Sequence, residues 1–177
     1  MAWNNKGSIR GPQGVQGIQG PQGPAGAAAP KMAGSLVWAS GWFDPPADRF
    51  TRLGGTYSGN GRLTVNYDVG GCTSVTAYTA TLVAPVTGLY LLTAAQTWIQ
   101  GSKIKGCGLG TSQTDGASGV KLWVDSNDSN FGTVARTTRL TAGTQLHAWT
   151  WNTAGTAMSP DYRGMLAEYS ITLLQEL

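Results

Sequence analysis

From Leu36 onward, apolar and polar residues alternate in short runs separated by clusters of Gly, Pro, Asn and Asp. Alternation with period two marks strands. The runs are LVWASGWF (36–43), FTRL (50–53), GRLTVNY (61–67), TAYTATLVA (76–84), GLYLLTAAQTWI (88–99), GVKLWVD (119–125), TVARTTRL (133–140), TQLHAWTWN (144–152) and MLAEYSITLL (165–174). Turn signals such as APVTG, DSNDSN and TAGT lie between them. With many short strands and no amphipathic helix, residues 36–177 are expected to form an all-β sandwich or jelly-roll head. In the run from Leu89, residues Tyr90, Leu92, Ala94, Gln96 and Trp98 share one face, and Leu89, Leu91, Thr93, Ala95 and Ile99 the other. Both faces are largely apolar, as expected where a sandwich also packs against other subunits. In QLHAWTWN, the face with His147, Trp149 and Trp151 is too bulky and apolar to be left in water.

Ahead of the head the period becomes three. Glycine occupies Gly11, Gly14, Gly17, Gly20, Gly23 and Gly26, giving six Gly-X-Y triplets through Ala28. Three polyproline-like chains wind together only when every third residue is Gly, because no side chain fits at the axis. The repeat therefore predicts a collagen-like stalk over 11–28 and a homotrimer. Pro12, Pro21 and Pro24 all stand at X, and no proline stands at Y. Stabilisation by hydroxylation is thus not used, which suits a bacterial or viral origin. Such a rod is a spacer of roughly 55 Å, weak alone, so the head is expected to set the chain register. Residues 29–35 read as a neck. Residues 1–10 form a short tail in which Trp3 and Ile9 are apolar and Lys6 and Arg10 charged, without a core of their own. We read it as a docking peptide.

Composition narrows the function. Charged residues are only 12% of the chain and the formal net charge is +3. No basic run exists, so nucleic acid is not an expected partner. Residues 1–10 lack the apolar core of a secretory signal, and no apolar run reaches the length of a membrane span. Cys72 and Cys107 could bridge or remain free thiols. There is one histidine, His147, and no CxxC, so no metal centre or other cofactor is expected. No nucleophile motif is present, and Glu168 and Glu176 are the only glutamates. A non-enzymatic role follows.

The stretches APVTGLYLLTA (84–94, with Pro85, Gly88 and Tyr90), LTAGTQLHAWTW (140–151) and the last apolar strand resemble the complement-type and tumour-necrosis-factor-like trimeric jelly-roll heads. The opening MAWNNKGSIRGPQG resembles the start of collagen-like minor tail proteins of phages that infect actinobacteria. Together these resemblances imply a virion tail fibre whose N-terminus docks on a tail or baseplate protein and whose head faces the host. A capsid-attached head fibre or decoration protein has the same build, as does a collagen-like protein of a bacterial surface or spore. Some complement-type heads hold Ca²⁺ in loops, and DSNDSN offers Asp125, Asn127 and Asp128 as a candidate ligand loop, although a polar hairpin turn accounts for it more simply. The seven tryptophans suit core and trimer packing, with Tyr90, Trp98, Trp149, Trp151 and Tyr169 as the expected aromatics. Any left exposed could stack on a host cell-surface glycan.

Overall fold

The computed structural model describes Met1, Gly14, Gln16, Gly17, Gly20 and residues 31–39, 48–54, 62–98, 104–114, 117–127, 131–153 and 167–177. Of Ile104, Ser126, Asn127 and Asn152 only the backbone is described. Eleven strands fall in these residues: β1 (Ala33–Trp38), β2 (Thr51–Arg52), β3 (Leu63–Val69), β4 (Thr73–Val75), β5 (Ala80–Val83), β6 (Gly88–Thr97), β7 (Ile104–Gly110), β8 (Val120–Asn127), β9 (Phe131–Leu140), β10 (Gln145–Asn152) and β11 (Ala167–Glu176). No helix occurs among the described residues, and none is therefore long and apolar enough to cross a membrane.

The strands form two antiparallel sheets. One has the order β3-β1-β11-β6-β9; the other has β4-β5-β10-β7-β8, with β2 paired to β10. From β5 onward the chain changes sheet at every connection except that between β7 and β8. This is jelly-roll winding: apart from the β4–β5 and β7–β8 pairs, neighbours in the sheets are distant in sequence, and the core closes only when both sheets meet. Strand β1 begins at Ala33, so the last residues expected in the neck are already paired with β11 and β3.

Burial follows the alternation of the sequence. Along β6, Tyr90, Leu92, Ala94, Gln96 and Trp98 are buried, while Leu89, Leu91, Thr93, Ala95 and Thr97 are half-buried. Tyr90, Trp98 and Tyr169 lie in the core with Leu36, Leu82, Leu92, Leu146 and Ile171. A buried polar chain ties the sheets together. The Tyr169 hydroxyl donates to Gln96 Oε1 at 2.6 Å, Gln96 Nε2 donates to Thr150 Oγ1 at 2.9 Å, and that hydroxyl donates to the Gly106 carbonyl at 3.3 Å.

The Pro85, Gly88, Tyr90 element has a local cause. The Tyr90 hydroxyl donates to the Val86 carbonyl at 2.8 Å and braces the turn. At Gly88 a side chain would come within 2.6 Å of the Gln175 carbonyl, so glycine lets β11 approach β6. At the β3–β4 corner, Gly70 and Gly71 take φ of 81° and 77°, and the Asp68 carboxylate accepts from Cys72 N at 2.7 Å and from the Thr73 hydroxyl at 2.8 Å.

Two strands were not expected from the alternation. Strand β4 is three residues long. Strand β7, IKGCGLG, carries glycine at every second position and so lacks the β-branched and aromatic residues that mark a strand.

Candidate functional site

Each sheet turns one face to the core and one outward, and the two outward faces differ. On the five-stranded sheet, Leu91, Thr93 and Ala95 of β6 stand beside Thr137, Ala135 and Thr133 of β9 and beside Thr172, Ser170 and Glu168 of β11. Ser35 and Val37 of β1 continue the rows. The polar groups here bond one another: Thr93 Oγ1 and Ser170 Oγ lie 2.6 Å apart, and Ser35 Oγ donates to Glu168 Oε1 at 2.7 Å. Tyr67, Val69, Phe131 and Leu174 stand exposed on strands β3, β9 and β11 of the same sheet. Polar groups that bond each other in this way lose less on leaving water, which suits this part of the face to burial against another surface.

The outward face of the six-stranded sheet is aromatic. Strand β10 sends Leu146, Ala148 and Thr150 inward and His147, Trp149 and Trp151 outward. His147 and Trp149 are nonetheless buried, at 2% and 3% exposure, and neither belongs to the core cluster between the sheets. Trp151 is half-buried. Beside them runs β7, with Gly110, Gly108 and Gly106 opposite His147, Trp149 and Trp151. Trp123 of β8 lies across two of these glycines. A Cβ on Gly108 would come within 2.7 Å of its ring, and a Cβ on Gly106 would also clash with it. Its indole N–H donates to Asp125 Oδ1 at 2.7 Å. Phe50, just before β2, meets Trp123 edge-on at 5.2 Å between ring centres and Trp151 at 6.3 Å.

Three nitrogens of this cluster, His147 Nδ1, His147 Nε2 and Trp149 Nε1, are buried without a hydrogen-bond partner. Burial, reinforced by the Arg52 guanidinium, lowers the His147 pKa from its ordinary value of 6.5. The imidazole is thus neutral at neutral pH, with one donor and one acceptor. The two cysteines are free and buried. Burial pushes the Cys72 thiol to about 11, helped by Asp68, and the Cys107 thiol to about 12. Neither is a nucleophile near neutral pH.

Comparison with known proteins reports on the fold. No family model and no curated protein sequence matches the chain. Solved structures do. Eiger TNF from S. frugiperda aligns with a TM-score of 0.56 and 14% identity over 84% of this chain and 96% of that one. Murine APRIL aligns at 0.55 and 12%, over 81% and 99%. PRD1 vertex protein P5 aligns at 0.54 and 16%, over 80% and 72%. The head is a TNF-like jelly roll. At these identities the likeness is one of fold.

Of the residues expected to matter, Tyr90, Trp98, Trp149 and Tyr169 are buried within the chain, and Trp151 stands at the rim of the outward aromatic cluster. Asp125 and Asn127 belong to β8 rather than to a turn, and the Asp125 carboxylate is taken up by Trp123. Among the described residues no group of three His, Cys, Asp or Glu could hold a metal ion. Trp3, Lys6, Ile9, Arg10, Gly11, Gly23, Gly26 and Asp128 lie outside the described residues. The sequence reading missed Phe50, Trp123 and the glycines of β7 as a group. The available signal was glycine at every second position in GCGLG, which marks one bare strand face.

Proposed function

We propose that the chain is a homotrimeric structural protein of a virion, a collagen-stalked fibre with a jelly-roll head that faces outward and adheres to the host surface. The observation that carries this reading is the outward face of the five-stranded sheet, where Leu91 and Ala95 stand beside the bonded pairs Thr93–Ser170 and Ser35–Glu168, in a chain that also holds six triplets of a three-chain repeat. Three copies packed through that face would bury Leu91 and Ala95 and hold the weak stalk in register. The stalk sets the head away from the first ten residues, where Trp3, Lys6, Ile9 and Arg10 supply the attachment to the particle. Attachment to a tail protein is the leading reading. The fold likeness to a vertex protein favours a second one, a fibre on the capsid.

The test has two parts. Native mass measurement of the intact protein should give three times 18.5 kDa. Leu91→Arg should return a folded monomer, whereas Tyr78→Arg, at a position 70% exposed, should stay trimeric. A monomeric or dimeric parent protein refutes the assembly. Electron microscopy of particles carrying Trp3→Ala should show loss of the fibre. Its full retention would show that another part of the chain is attached.

A further inference from the structure

The strand registers give the head two ends. Strand β1 starts at Ala33, opposite Val69 of β3 and Thr172 of β11, and Thr172 stands opposite Leu91 of β6. The chain comes in from the triplets at this near end, where Leu173 N donates to the Met32 carbonyl at 2.8 Å. Apolar residues of the outward face gather here. Val69 and Leu174 are 50% and 49% exposed, and Leu89 and Leu91 are half-buried. Glu168 and Ala95 lie four residues further along their strands, and Phe131 pairs with Thr97 at the far end. Between the two ends the face carries Ser35, Thr93 and Ser170. The second observation is a length. The sixth triplet closes at Ala28, four residues before Met32. Four residues span at most about 14 Å. Wound chains share an axis so crowded that only glycine fits there. A wound stalk therefore holds the near end of every copy close to the axis, whereas the far end lies about 30 Å away along the ten-residue β6 and is not tethered.

We propose that three copies of this chain come closest at the near end, where Val69, Leu91 and Leu174 form an apolar collar around the axis at the foot of the stalk. The proposal rests on the reading of a collagen-stalked trimer and names the part of the face that closes it. Contacts in a three-fold ring run head to tail. Val69 and Leu91 stand three strands apart, roughly 14 Å, with Leu174 between them. Val69 of one copy therefore meets Leu91 of the next, and Leu174 faces its own equivalents. The occupant of the patch is a second copy, because so short a link to the stalk gives the three patches a high effective concentration. The side-chain charges around the patch are Lys31, Asp68, Arg139 and Glu176, two of each sign, so the copies converge there without net repulsion. Glu168 shares its row with Val37, Ala95 and Thr133, none of them a cation. Wider spacing of the copies toward the far end keeps its three carboxylates apart.

The test uses the full-length protein, in which Cys72 and Cys107 are buried and leave an engineered thiol as the reactive one. Leu174→Cys treated with a short bismaleimide should run as a linked pair of chains on a denaturing gel. Thr133→Cys, exposed on the same face toward the far end, should stay unlinked. Val69→Asp should raise the trimer dissociation constant at least about a hundredfold by placing an unpaired charge in the contact, whereas Phe131→Asp should change it less than about threefold. Near-UV circular dichroism reads whether each variant is folded, and the cross-link decides the matter if Val69→Asp does not fold. Linking at Thr133 as strong as at Leu174, linking at neither, or a folded Val69→Asp that stays as tightly trimeric as the parent overturns the collar. Any of these in a trimeric parent removes the collar and leaves the assembly standing. A parent protein that is monomeric by native mass removes the assembly itself.

Discussion

Replacing Thr150 by Val keeps the shape of the side chain and removes one oxygen from the centre of the sandwich. That oxygen accepts from Gln96 Nε2 at 2.9 Å and from Trp98 Nε1 at 3.5 Å, and it donates to the Gly106 carbonyl at 3.3 Å. Thr150 itself is fully buried, so water cannot replace what is lost. Depriving a buried donor of its acceptor costs about 1–3 kcal/mol. The indole contact is at the distance limit and adds little. The methyl group that replaces the hydroxyl returns roughly 0.8 kcal/mol through apolar burial. The expected net loss is about 1–2 kcal/mol. With a urea slope of about 2 kcal/mol/M, the midpoint should fall by roughly 0.5–1 M at unchanged slope, measured at one fixed protein concentration because assembly shifts the apparent stability. Tyr169→Phe, which removes the hydroxyl that donates to Gln96, should couple to it: the double variant should depart from additivity by about 0.5 kcal/mol or more. A midpoint equal to that of the parent, or strict additivity, would refute the idea that this chain of bonds ties the two sheets.

Gly108→Ala should lower stability by about 1–3 kcal/mol, since the new methyl meets the Leu122 carbonyl as well as the Trp123 ring, and urea titration against the near-neutral Gly110→Ala checks it. Asp68→Ala should cost about 1–2 kcal/mol by removing the acceptor of Cys72 N and the Thr73 hydroxyl at the β3–β4 corner, read from the same titration. Cys72 and Cys107 should ignore a thiol reagent at pH 8 in the native protein and both react in denaturant, because burial holds their thiols near 11 and 12. His147 has a lowered pKa in the folded state, so the unfolded chain takes up the proton first as pH falls below about 6.5. Stability should therefore be full above that pH and decline below it, and His147→Phe should flatten the decline in urea midpoints taken across that range.

Much of the head was legible in its pattern. The alternation in GLYLLTAAQTWI separated the two faces of β6, because successive side chains of a strand point to opposite sides, while the fold decided that the Tyr90 face is the one in the core. The Pro85, Gly88, Tyr90 element and the split of QLHAWTWN into two faces were local enough to read directly. Strand β7 was not, because three glycines carry no strand propensity; two of them, Gly106 and Gly108, accommodate Trp123, which the fold brings over them from the next strand. Phe50 could not be placed beside Trp151 from sequence, since about a hundred residues separate them and only the pairing of β2 with β10 brings them together. The same holds for the outward face of the five-stranded sheet. Ser35 read as the end of the neck, and Thr93 and Ser170 read singly as ordinary polar strand residues. Register sets Ser35 and Thr93 on either side of Ser170, with Glu168 diagonal to Ser35, and the bonds Thr93–Ser170 and Ser35–Glu168 lower the cost of taking these polar groups out of water. Period and local chemistry follow from neighbours along the chain, whereas hydrogen-bond satisfaction depends on which strands meet, and in a jelly roll those are distant in sequence.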